Sequence, residues 1–181
     1  MENEEKEVII IKLHKPWESE NAKKFLKELK ILRIVNCFYI AGIVELIQVE
    51  EDAFEDVYLV LQEHKSDMQT LLKQGEWPGD GESVIYFYEL FLLLDFAHTS
   101  AIYIRDLNPA RILFTKDADI IVNNFGNCKL NFGKLADYFL NIKYSPKRLW
   151  NCAPEVFLNL PEQTCPAEIW ALECIMLQFF S

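Results

Sequence analysis

The stretch 102–126, IYIRDLNPARILFTKDADIIVNNFG, constrains this chain more than any other. It holds a short apolar run (Ile102–Ile104), then Arg105-Asp106-Leu107 and a turn marked by Asn108-Pro109. Two further apolar runs follow, Ile112–Phe114 and Ile120–Val122, joined by a turn rich in Lys and Asp. Short apolar runs on either side of such a turn predict a β-hairpin. Acidic and amide side chains sit at both of its ends: Asp106 and Asn108 before it, Asn123 and Asn124 after it.

The elements on either side are read from their periodicity. Val8–Leu13 is a β-branched run that predicts a strand. Being apolar at successive positions, it is expected to be covered on both faces. Glu18–Val35 carries Ala22, Phe25, Leu26, Leu29, Leu32 and Ile34 or Val35 at the spacing of one helical face. Ile43–Val49 and Val57–Leu61 predict two more strands joined by an acidic turn. Asp67–Lys73 predicts a short helix, and a breaker-rich loop follows over Gly75–Gly81. Glu82–Thr99 is apolar nearly all round, so a central helix is expected there. Asn127–Asn151 reads as a long loop, Ala153–Leu158 as a short helix and Ala167–Phe180 as a strongly apolar one. Strand–helix–strand–strand, then a mainly helical remainder with one hairpin, is an α+β order.

A chain of 181 residues, 51% apolar, is globular and fits one domain or two small lobes. Its formal net charge of −10 argues against nucleic-acid and anionic-membrane partners, which reward Lys and Arg clusters. Five cysteines without CxxC spacing give neither a disulfide framework nor a zinc site, and the three histidines (His14, His64, His98) lie far apart. No secretory signal is expected, because Met1–Glu7 is acidic and no apolar run of the needed length follows. Val84–Ile104 is interrupted by Glu89, Asp95 and His98, which speaks for a buried helix rather than a membrane span. An intracellular protein, cytoplasmic or nuclear, is expected.

With the motifs in order, the chain resembles the protein kinase superfamily, in its cyclin-dependent and MAP kinase branch. I-R-D-L-N-P-A-R followed by N-F-G is similar to H-R-D-L-x-x-x-N followed by D-F-G. Lys12 in V-I-I-I-K stands at the lysine of V-A-I-K. Glu28 stands where a helix glutamate would pair with that lysine, and a pairing with Lys24 one turn earlier is the alternative. Leu61 takes the gatekeeper position, and Gln62–His64 would offer backbone groups to adenine. Residues 148–155, R-L-W-N-C-A-P-E, resemble T-L-W-Y-R-A-P-E, and Glu168–Leu172 echoes D-I-W-S-L. The resemblance implies a reduced N-lobe over 1–65, about three strands plus one helix, and a truncated, mainly helical C-lobe over 66–181.

The departures bear on chemistry. Asp106 is retained as the acceptor of a substrate hydroxyl proton, or as a structural aspartate tying down its loop. Asn124 puts a neutral amide where the family's main metal carboxylate stands. Arg111 puts a cation with no acceptor atom at the second metal-ligand position. That guanidinium is expected to repel a metal, and is itself a partner for Asp106. Asn108 replaces a phosphate-neutralising lysine, and no glycine precedes Lys12. Glu168 stands in place of an aspartate. No metal is therefore expected, and ATP held without Mg²⁺ is the one cofactor left open. The expected function is a pseudokinase-like protein-interaction or regulatory scaffold, with its partner proteins met at the edge of Val8–Leu13 and at the helix ending in Phe179-Phe180. A residual serine/threonine kinase and a degenerate fragment without independent function are the alternatives.

Overall fold

The computed structural model describes residues 8–14, 21–48, 56–76, 79–130, 150–158 and 165–180. An antiparallel sheet of β1 (Val8–His14), β2 (Ile43–Gln48) and β3 (Asp56–Gln62) is ordered β1-β3-β2. The middle strand is the most apolar-packed: Val57, Leu59 and Val60 are buried. In register, Ile10 lies opposite Val60 and Lys12 opposite Tyr58. Cover on both faces of β1 is not what the fold provides: Ile10 is 59% exposed and Val8 37%. Successive apolar residues signal double cover in a parallel sheet, whereas a small antiparallel sheet leaves one face to solvent.

Helix α1 (Asn21–Ile34) turns Ile31 into the core and leaves Lys30 and Arg33 outside; Leu26 and Ile34, expected on its apolar face, are also exposed, because the buried stripe is centred on Ile31. After it, Ile40 forms a parallel bridge with Val122: Val122 N–H donates to Tyr39 O at 2.8 Å, and Ala41 N–H donates to Val122 O at 2.9 Å.

The predicted hairpin is present as β6 (Ile112–Phe114) and β7 (Ile120–Val122), all six residues buried, with β4 (Ser66–Asp67) added to its edge. Its turn is closed by Thr115: the backbone N–H donates to Asp119 O at 3.0 Å, while Oγ1 accepts the Asp119 N–H at 3.1 Å. Asp67 caps the short helix α2 (Met68–Gln74), accepting the Thr70 N–H at 2.9 Å and its hydroxyl at 2.7 Å. Gly75 ends α2 at φ 67°, the left-handed geometry glycine adopts without strain.

The main core lies between the hairpin, α3 (Asp80–Thr99) and α5 (Cys165–Phe180). Phe87, Leu90, Leu93, Leu94 and Ala97 of α3 meet Leu172 and Ile175 of α5, and the Phe87 and Phe179 rings stack edge-on at 5.5 Å. Yet α3 is not enclosed: Val84, Ile85, Tyr88, Phe91 and Leu92 are exposed on its other side. Apolar residues all round a helix state what it can bury; how much is buried depends on its neighbours.

The expected loop from Asn127 starts as structure. A 3-10 turn over Phe125–Asn127 runs into β8 (Lys129–Leu130), which pairs with β5 (Ile102–Tyr103). A one-turn helix, α4 (Pro154–Phe157), follows the next described segment.

Candidate functional site

Buried Ile104 and Leu107 hold the loop that carries Asp106, and Arg105 between them adopts φ 65°. The loop continues into a 3-10 turn, Pro109–Arg111, capped by Asn108, whose Oδ1 accepts the Ala110 N–H at 3.2 Å. Its amide also donates to the Asp106 carbonyl at 2.9 Å and to Oδ1 at 3.3 Å. Asn108 thus serves as a loop brace.

The Asp106 carboxylate is only 6% exposed and is occupied from several sides. Arg111, itself 4% exposed, forms an ion pair with Asp106 Oδ2 through one terminal nitrogen. Its other terminal nitrogen donates to the Asn124 carbonyl at 2.8 Å. Asn127 Nδ2 also donates to Asp106 Oδ2, at 3.0 Å. The expected Arg111–Asp106 pairing is therefore present, and the arginine additionally ties the Asp106 loop to the segment after β7.

Asn124 has left-handed backbone (φ 65°, ψ 62°) and an exposed side chain. The donor set does not fit Mg²⁺, which takes oxygen ligands and chiefly carboxylates. One of the two expected ligand positions is cationic, and the nearby carboxylate is already paired with it. No group of three or more His, Cys, Asp or Glu side chains among the described residues is placed to hold a metal ion.

Glu28 reaches across from α1, its Oε1 accepting the Phe125 N–H at 3.0 Å. Burial pushes its carboxyl upward, against the pull of the Phe125 N–H and of Arg111. Lys27, next to it, donates to the Cys128 carbonyl. Gly126 sits so close that a Cβ there would lie 3.0 Å from the Lys24 carbonyl oxygen. Helix α1 is thus fastened to the turn after Asn124 by contacts of its own. The Lys12 side chain, and with it a Lys12–Glu28 pair, lies outside the described residues. Gln62 ends β3, with its side chain exposed and its N–H donating to Gly42 O at 3.3 Å, so that group is not open to a ligand. His64 is half-buried, and burial lowers its pKa against the opposing pull of Asp67.

Beneath the loop, Glu168 is 4% exposed; its Oε1 accepts the Arg105 N–H and its Oε2 meets His98 Nε2, both at 2.8 Å. Its longer side chain still reaches the loop. The sequence marks Glu168 only as a residue in place of an aspartate, and nothing in N-F-G-N marks the fourth residue, Asn127, as facing Asp106. A cavity of about 40 Å³ lies here, lined in part by Asp106, Cys152 and Glu168. On the outer side a cleft of about 810 Å³ is lined by residues including Asn108, Arg111, Asn124, Trp150 and Gln178. Gln178 donates to Asn151 Oδ1 at 2.7 Å, joining α5 to the 150–151 segment.

A family model described as the protein kinase domain matches residues 1–181. Mitogen-activated protein kinase 12 of Homo sapiens is 29% identical over 179 residues, covering 96% of this chain and 46% of that protein. Mitogen-activated protein kinase 11 of Arabidopsis thaliana is 28% identical over 157 residues, covering 86% and 41%. Mitogen-activated protein kinase 2 of Oryza sativa subsp. japonica is 28% identical over 172 residues, covering 94% and 42%. The chain spans less than half the length of these relatives.

Proposed function

The chain belongs to the protein kinase domain family, and from that premise we propose that it is a non-transferring member that works through protein contacts. Phosphoryl transfer relies on a carboxylate free to take the proton of the attacking hydroxyl, and on cations that neutralise the phosphates. The observation that carries the reading is the buried Arg111–Asp106 ion pair. The carboxylate meant to accept the proton is engaged by a guanidinium and by the amides of Asn127 and Asn108. The same guanidinium occupies the position from which a metal ligand would act. Positive charge is thus present beside Asp106, but it is spent on the protein itself. The fold keeps the frame of the site: the loop on Glu168, the hairpin, and α1 on the 125–127 turn.

Isothermal calorimetry with ATP, with and without Mg²⁺, together with a transfer assay on a generic protein substrate, tests this. The expected result is no Mg²⁺-dependent heat and no labelled product. Mg²⁺-dependent binding with transfer that Asp106→Asn abolishes overturns the proposal. Metal-independent ATP binding without transfer leaves the non-transferring reading standing and adds a nucleotide-held form.

A further inference from the structure

We infer that the outer cleft is a binding site for a neutral saccharide. Its volume of about 810 Å³ falls in the range of small-molecule sites. Six of the described residues that line it carry side-chain amides: Gln69 from α2, Asn108 from the Asp106 loop, Asn123 and Asn124 after β7, Asn151, and Gln178 from α5. No described lining residue is acidic, although the chain has 28 Asp and Glu residues. The cation among them, Arg111, is paired with Asp106. The cleft is therefore polar without net charge to offer. Tryptophan is buried more than most residues, because its ring carries a large apolar area. Trp150 instead lines this cleft while 84% exposed.

The chemistry of the walls selects the occupant. An anionic ligand meets a cation already paired within the protein, and a cationic one meets no carboxylate among the described walls. What the walls present is the amide's donor and acceptor, repeated around the cleft. Asn108 is engaged by its own loop. Gln178 gives Nε2 to Asn151 Oδ1, which leaves Gln178 Oε1 as an acceptor and Asn151 Nδ2 as a donor. Gln69 and Asn124 carry exposed side chains. A sugar hydroxyl both donates and accepts, so amides satisfy it in either sense, while the C–H face of a pyranose ring lies flat on an indole. An extended peptide is the competing neutral ligand, and it docks by main-chain hydrogen bonds to a strand edge. The described walls come from α2, α5, two 3-10 turns and the residues after β7, with no strand among them. These walls are also fixed in advance: Asn108 and Arg111 brace the Asp106 loop, and Gln178 ties α5 to Asn151. A preorganised site lowers the entropic cost of binding.

The test titrates the full chain with maltotriose, cellotriose and N-acetylated chitotriose by isothermal calorimetry. A blocked, uncharged hexapeptide of Ala, Gly and Ser is the comparison probe. At least one trisaccharide is expected to bind with Kd below about 1 mM. That affinity should change less than about twofold between about 50 and 300 mM salt, because no ionic contact is involved. Trp150→Ala, and Gln69→Ala with Asn124→Gly, are each expected to weaken binding at least about tenfold. All three side chains are exposed and glycine suits the left-handed backbone at 124, so the melting curves of these variants should stay close to that of the parent. No binding of any of the three sugars, tighter binding of the hexapeptide, a tenfold loss with salt, or affinity unchanged in either variant overturns the inference. The titration scores no phosphate transfer, so its failure leaves the protein-contact reading standing. Transfer in the earlier assay removes that reading whatever the cleft binds.

Discussion

Replacing Arg111 by alanine isolates the interaction on which the site turns. Arg111 and Asp106 are 4% and 6% exposed, so the substitution leaves a carboxylate buried without its cation. Removing one partner of a buried ion pair costs about 3–5 kcal/mol, because the desolvated charge that remains has lost its compensation. Asn127 and Asn108 still donate to the Asp106 carboxylate, which places the expected cost near the lower bound, about 3 kcal/mol. The lost bond to the Asn124 carbonyl is not added separately, since coupled contacts in one network do not sum. For a chain of this size about 3 kcal/mol corresponds to a fall in Tm of about 6–12 °C. Removing the charge as well, in Asp106→Asn with Arg111→Met, should recover most of the loss, because an apolar–amide pair leaves no buried ion. Urea unfolding of the parent, Arg111→Met, Asp106→Asn and the double variant gives the coupling energy directly. A cost below about 1 kcal/mol for Arg111→Ala, or a double variant no better than Arg111→Ala, refutes the view that this pair neutralises itself in the interior.

Three other perturbations follow from the same geometry. Gly126→Ala should cost about 1–3 kcal/mol, because the new methyl meets the Lys24 backbone at 3.0 Å and α1 has to move; urea unfolding measures it. Glu168→Ala strips the partner from the part-buried Arg105 N–H and from His98, and should cost about 1–3 kcal/mol in the same assay, whereas Glu168→Gln should cost less. Glu89 has Oε2 buried without a hydrogen-bond partner among the described residues, and burial raises its carboxyl pKa. A carboxyl raised on folding binds its proton more tightly in the native state, so its contribution is fully present below the unfolded value of 4.5 and is lost as pH rises through the higher native value. Glu89→Gln should therefore be more stable than the parent at pH 7, and the gap between their Tm values should close as pH falls towards that range.

Local pattern alone determined the elements and the chemical limits of this chain. The two apolar runs Ile112–Phe114 and Ile120–Val122 marked the hairpin because short apolar runs on either side of a polar turn have few other uses. Asp67 and Gly75 bracket α2 by capping chemistry, which is local. The resemblance to protein kinases put Asn124 and Arg111 at metal-ligand positions, and an amide and a guanidinium are poor donors for Mg²⁺ on side-chain chemistry alone. Which groups meet was decided by the tertiary structure. The contacts of Asp106 with Asn127, of Glu28 with the Phe125 N–H, and of Glu168 with the Arg105 N–H join residues 21, 97 and 63 positions apart. No periodicity encodes such separations. Burial was likewise a property of neighbours: β1 begins with four successive apolar residues and α3 is apolar nearly all round, yet Val8 and Ile10 of the one and Val84, Ile85 and Tyr88 of the other are exposed. Residues 102–126 therefore announced a site by themselves. Only the fold revealed that Arg111 pairs with Asp106 in the interior, because that outcome depends on two side chains sharing one low-dielectric space.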